Sequence, residues 1–129
     1  MSDTDALAGL IAGAENILIV TGAGVSTDSG IPDYRGPKGI WNTERPVMFQ
    51  DFLNDPEQRA LYWDQKLRAA DFFDAAEPGA AHHACVDLEA AGKLNALVTQ
   101  NIDGLHAAAG TSSDKLVEVH GTAMEVACL

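Results

Sequence analysis

The chain has 129 residues, 47% of them hydrophobic, and a formal charge of −11 at pH 7. That length is about one small domain, with enough apolar side chains to bury a core. Its eight Lys and Arg are scattered singly among nineteen Asp and Glu, which excludes a phosphate-tracking nucleic-acid binder built on basic stripes.

The acidic balance suits a cationic partner, or serves only as a solubility or salt-adapted surface. The first residues lack a basic n-region, and no apolar run approaches the roughly 20 residues of a membrane span. The expected location is therefore cytoplasmic, with no membrane partner. Two cysteines, Cys85 and Cys128, make no disulfide framework, and Cys85 sits in an Ala-rich helical pattern that suits a small buried thiol.

In chain order, Ser2 or Asp3 caps a first helix running to Ala14, with Leu7, Leu10 and Ile11 spaced for one buried face and Gly13 near its end. "NILIVT", residues 16–21, reads as a buried strand. From Gly22 to about Pro46 the chain is rich in Gly, Pro, Asp and Ser, a long loop of the kind that is functional inside a compact domain. Asp55 caps the next helix, which runs through Trp63 and Leu67 towards Phe73. Pro78 and Gly79 open another, stopped at Gly92 by a C-terminal glycine signal. "KLNALVT", residues 93–99, is a strand; "NIDGLHAAAG", residues 101–110, carries a short helix; "KLVEVHG", residues 115–121, is a third strand reaching His120.

Strands alternating with helices predict an α/β fold, a partial Rossmann-like parallel sheet flanked by helices and joined by right-handed crossovers. Ligands of such sheets bind outside the carboxyl ends of the strands. Here those ends read "TGAG", "TQNID" and "HG", so the polar residues gather on one edge. The last residues, "GTAMEVACL", run in strand-like alternation with no turn signal, and a few parallel strands leave an unprotected edge. The expectation is an incomplete domain over residues 1–129, a fragment of a longer protein.

Gly22 and Gly24 follow the first strand directly, but Thr27 stands where G-x-G-x-x-G has its third glycine. The pair either lets the backbone approach a pyrophosphate at a helix N-terminus or makes only a tight strand-to-helix turn. "STDSGIPDYRG" then adds Asp33, Tyr34 and Arg35 to the hydroxyls of Ser26, Thr27 and Ser29. Arg pairs with phosphate and an aromatic covers a ring; the competing reading is a solvated loop with a stray ion pair.

In "QNID" the carboxamides of Gln100 and Asn101 suit the edges of a ribose or carboxamide, and Asp103 suits an amide or a cationic ring. A helix N-cap at Asn101 is compatible with that. His120, at a strand's carboxyl end, is of the residue type that serves as a general base near neutral pH, or else a structural histidine. His82 and His83 cannot face one ligand together, because neighbouring helical positions diverge by about 100°. They and His106 read as packing or surface residues. Cys128 alone is no metal site.

Together these pieces resemble the sirtuin (Sir2) family of NAD-dependent protein deacylases. "GAGVSTDSGIPDYRG" resembles the family's GAG-x-S-x-x-S-G-I-P-D-F-R-G, "TQNIDGLHAAAG" its T-Q-N-I-D-x-L-H-x-x-A-G, "VEVHG" its E-x-H-G, and "PGAAHHACVDLE" its P-x-x-A-H-x-A-x-x-x-L-E helix. The likeness spans about Asn16 to Cys128. It implies that Gly22, Ala23, Gly24 and Thr27 hold the NAD phosphates with Arg35 nearby, that Tyr34 shields the reacting ribose, and that Asp33 lies in the flexible cofactor loop. It further implies that Gln100, Asn101, Ile102 and Asp103 line the ribose and nicotinamide pocket, with Asn101 and His120 catalytic and His120 the general base. His82 is implied to be structural.

The implied reaction is attack of an acyl-lysine oxygen on the ribose carbon as nicotinamide leaves, followed by release of free lysine and an acyl-ADP-ribose. Such chemistry asks for positioning and polarity more than a protein nucleophile. The implied partner is an acylated lysine of a protein substrate. The implied structural zinc would use Cys128 as its first ligand, with the other ligands beyond Leu129. Where relatives that prefer acidic acyl groups carry Tyr-x-x-Arg, "YWDQ" has Tyr62 and Gln65, which makes acetyl the expected group. Mono-ADP-ribosyl transfer and a non-catalytic NAD-binding fragment are the alternatives.

Overall fold

The computed structural model describes residues 2–129. Ser2 caps α1 (Asp3–Gly13): its hydroxyl accepts from the Asp5 N–H while the Asp5 carboxylate takes the Ser2 N–H, a reciprocal capping box. The buried face expected of this helix does not form, since Leu7 is 57% and Leu10 73% exposed. Its hold on the body is polar instead. The Lys93 ammonium donates to the carbonyls of Ile11, Ala12 and Ala14 at 3.0, 2.7 and 3.0 Å, satisfying orphan acceptors at the negative end of the helix.

β1 (Ile17–Thr21), β2 (Leu94–Thr99) and β3 (Leu116–Glu118) form a parallel sheet in the order β1-β2-β3. Its register pairs Ile19 with Leu97 and Leu97 with Leu116, a row facing Cys85 and Leu88 of α4 (Ala80–Ala90). This is the core, with Leu97 fully buried. The alternate row, Val20–Val98–Val117, lies on the opposite face, because successive side chains point to opposite sides. Leu18 and Val20 are each 62% exposed there, so β1 is half-buried and not the buried strand its composition suggests. β3 ends two residues short of His120: Val119 still donates to the Thr99 carbonyl at 3.0 Å, and the chain then turns at Gly121, φ +74°.

The long loop holds two 3-10 helices, Ala23–Ser29 and Ile40–Asn42. Gly30 ends the first with φ +88°, a left-handed conformation that favours glycine. At Gly39 a Cβ would come within 2.5 Å of the Tyr34 carbonyl carbon, so the two arms of the loop touch backbone to backbone.

α2 (Phe49–Asn54) had no signal in the sequence, being too short to show a period and lacking a side-chain cap. α3 (Pro56–Ala75) starts as expected, with Asp55 accepting from the Glu57 and Gln58 N–H groups and Pro56 in its first turn. The two helices lock through Phe52 against Tyr62, centroids 4.9 Å apart, and through Arg59 donating to the Phe52 and Leu53 carbonyls. α5 (Leu105–Ala109) ends at Gly110. No helix among the described residues is long and apolar enough to cross a membrane.

Candidate functional site

The register fixes where the motifs meet. Thr21 pairs with Thr99, and Thr99 with Glu118, so the segments starting at Gly22, Gln100 and Val119 leave the sheet side by side at its carboxyl edge. Gln100 N–H donates to the Thr21 carbonyl at 3.0 Å. The His120 Nδ1 lies 2.9 Å from the Gln100 carbonyl oxygen. A carbonyl only accepts, so Nδ1 carries the proton and the neutral ring presents a bare Nε2 lone pair.

Behind this edge lies a buried polar layer. The Thr21 hydroxyl donates to Thr99 Oγ1 at 2.9 Å, and the Thr99 oxygen also accepts from the Asn101 N–H at 3.1 Å. His106 Nε2 is 2.9 Å from Thr21 Oγ1; with Thr21 donating to Thr99, this ring nitrogen is the donor. His106 Nδ1 is buried with no partner among the described residues.

Asn101 is not a helix cap, contrary to that reading of the sequence, for α5 begins after Gly104 at φ +71°. Asp103 makes the turn, accepting from the Leu105 N–H at Oδ1, 3.0 Å. Asn101 Nδ2 is thereby free to reach Ser26 Oγ at 3.1 Å, and Ser26 donates to Asp103 Oδ2 at 2.7 Å. Ser26 is the hub to which the motif reading gave no role. It matched the serine of the quoted GAG-x-S signature, but its part in the site comes from total burial between Asn101, Asp103 and His82.

Burial pushes the His82 and His106 imidazoles below 6.5, outweighing the Asp103 charge that pulls each upward. His82 and His106 are packing residues as expected, their ring centroids 4.8 Å apart, and His83 is exposed.

A cleft of about 720 Å³ opens between this layer and α3. Ala23, Tyr34, Asn101, Ile102 and Asp103 line it on the sheet side, and Trp41, Tyr62, Gln65 and Phe73 on the other. Burial, and then the Asp103 carboxylate, raise the Tyr34 phenol above 10.0, which ties this loop residue to the site. Tyr34 also packs on Trp41 at 5.3 Å, and the Arg35 guanidinium stacks over the same indole at 5.0 Å, a cation–π contact.

Thr27 and Asp33 line a second cleft with Gly30 and Lys38. Thr27 closes its own turn on the Gly24 carbonyl, and Asp33 accepts the Gly36 N–H. Gln65 donates to the Arg45 carbonyl at 3.1 Å, and Arg68 is held by Glu44 and Asp64. Cys128 is exposed, and no group of three potential metal ligands exists among the described residues, so these residues do not by themselves build a zinc site.

The profile of the Sir2 family matches residues 22–129. The chain is 44% identical over its whole length to an NAD-dependent protein deacetylase of Bordetella pertussis, of which it covers 46%. A Sir2 homologue–NAD complex superposes with TM-score 0.76 at 37% identity, over 94% of this chain and 46% of that one. A Sir2–p53 peptide–NAD+ complex does so with TM-score 0.77 at 32% identity, over 94% and 47%. The chain thus spans about half the length of the curated relatives it matches.

Proposed function

The chain belongs to the Sir2 family, and from that premise we propose that it supplies the NAD-handling and catalytic residues of an NAD-dependent protein-lysine deacetylase. The observation that carries this reading is the pairing of Thr21, Thr99 and Glu118 in one register, which brings the Gly-rich loop, "QNID" and His120 to one edge. The donor set suits NAD: carboxamides and a carboxylate in the cleft for ribose hydroxyls and a carboxamide, small backbone-exposing residues at Gly22, Ala23 and Gly24, and Arg35 for phosphate.

NAD, when bound, supplies a ribose whose bond to nicotinamide can be broken. Asn101 and Asp103 orient the sugar and face the positive charge that bond cleavage develops, in a setting where burial strengthens electrostatics. Gln100 and Ile102 flank them in this role, and Thr27 and Asp33 shape the outer side of the loop. Tyr34 excludes water from the reacting carbon. His120, its Nδ1 proton given to the Gln100 carbonyl, takes a ribose hydroxyl proton at Nε2.

Acetyl-lysine on a protein is the substrate this reading favours, since the cleft wall carries the neutral Gln65 and the nearby Arg68 is already paired with Glu44 and Asp64. Cys128 is proposed as one thiolate of a structural zinc site whose other ligands are not among these residues, and no catalytic step uses it.

The test is nicotinamide release from NAD with an acetyl-lysine peptide, using the protein that carries this chain. His120→Ala is expected to lower turnover by about 10²–10⁴-fold. Equal release by the variant and the native protein would refute the assignment. Mass added to the protein target, with no acetyl-ADP-ribose in solution, would point to ADP-ribosyl transfer.

A further inference from the structure

His82 is completely buried at the start of α4, yet it faces the site through a single atom. The Gly79 backbone N–H donates to its Nδ1 at 3.0 Å. A nitrogen that accepts cannot carry a proton, so the neutral ring must carry its proton on Nε2. That nitrogen faces Ser26 Oγ at 3.4 Å. A hydroxyl has one proton to give and two lone pairs to fill. Ser26 gives its proton to Asp103 Oδ2 and fills its lone pairs with Asn101 Nδ2 and His82 Nε2. Each of the four side chains is thereby assigned one protonation pattern, and no other pattern satisfies all of these bonds.

We propose that His82 is a positioning residue, acting through Ser26 on Asn101 and Asp103, and that it does so only as the neutral Nε2–H tautomer. This rests on reading Asn101 and Asp103 as cofactor residues. A proton added at Nδ1 would set two donors against each other across the Gly79 contact. Gly79 is the N-cap of α4, so relieving the clash opens the first turn of the helix and draws His82 off Ser26. Asp103 and Asn101 then lose their shared partner.

The charged and titratable groups facing His82 are Asp103 from the segment after β2, His106 from α5 and His83 on its own helix. Asp103 favours the protonated ring, while burial and His83 oppose it, and burial prevails. The device is therefore set at neutral pH and released by acid.

The experiment is imidazole nitrogen NMR on the protein that carries this chain, with a pH titration. At neutral pH the His82 shifts should report a protonated Nε2 and a bare Nδ1. As His82 gains its proton, below about pH 6.5, the amide signals of Ser26, Asn101 and Asp103 should move with it. In His82→Gln, which keeps a side-chain N–H donor and cannot titrate, the midpoint of that movement should fall by about one pH unit or more. An Nδ1–H tautomer overturns the proposal, as does an unmoved midpoint in the variant, whether the acid transition is local or global.

A second arm measures NAD binding by calorimetry at neutral pH and at about pH 5.5. A loss of about tenfold in the native chain, reduced in His82→Gln, is expected for one charge-assisted hydrogen bond. No NAD binding at any pH would count against the proposed function, while the tautomer and midpoint still decide the role of His82.

Discussion

The two sides of this sheet are inverted in character. Along its carboxyl edge the buried groups are polar, namely Ser26, His82, Thr99, Asn101, Asp103 and His106, whereas on the face away from α4 and on α1 the exposed groups are apolar, with Leu10, Leu18, Val20 and Val117 in the open. Burying a polar group without a partner costs about 1–3 kcal/mol, so the first arrangement survives only because its hydrogen bonds close on one another. The second reflects that a parallel sheet is ordinarily covered on both faces and here α4 covers one. The polar groups around Ser26 thus answer one another, with His106 Nδ1 left unpaired among the described residues, while the apolar face opposite α4 stays open.

Three measurements bear on that contrast. The largest effect is expected at Leu97, fully buried where the two sides meet: Leu97→Ala should cost about 2–5 kcal/mol of unfolding free energy in a denaturant titration. A loss below about 1 kcal/mol would mean that the core is no better packed than the open face.

An intermediate effect should come from pH. His82 and His106 sit below 6.5 in the folded chain because of burial, so between that folded value and 6.5 the unfolded chain binds more protons. Stability from this source is whole above 6.5 and is lost as pH falls from 6.5 towards the folded values. Thermal denaturation should show the decline, and a melting temperature that rises on acidification from neutrality would contradict the buried neutral pair.

The smallest effect belongs to the open face: Leu18→Ser should change stability by no more than about 0.5 kcal/mol, despite removing a strand leucine. A cost near that of Leu97→Ala would show that the face is covered in solution.

Much of the site was legible along the chain, because its residues cluster in three short motifs and each motif follows a strand. Gly22 and Gly24, "QNID" and His120 could be brought to one edge by the single rule that parallel strands share a carboxyl end. Ser26 and His82 could not be joined in that way. They stand 56 residues apart, and although both fall on matched motif positions, nothing in either motif says that the two side chains meet. The strand limits also shifted, since the alternation that carried the third strand to His120 says nothing of the Gly121 turn that ends it.

By itself the sequence determined what depends on neighbours in the chain: a first cap at Ser2 or Asp3, the Asp55 cap, the glycine stops at Gly92 and Gly110, the order of strands and helices, and the motifs that carry the resemblance. Only the tertiary structure decided which faces are covered and which hydrogen bonds close. Leucine periodicity in α1 and β1 states a capacity for burial, but burial needs a second surface, and a buried hydroxyl is satisfied only by partners that folding brings from elsewhere.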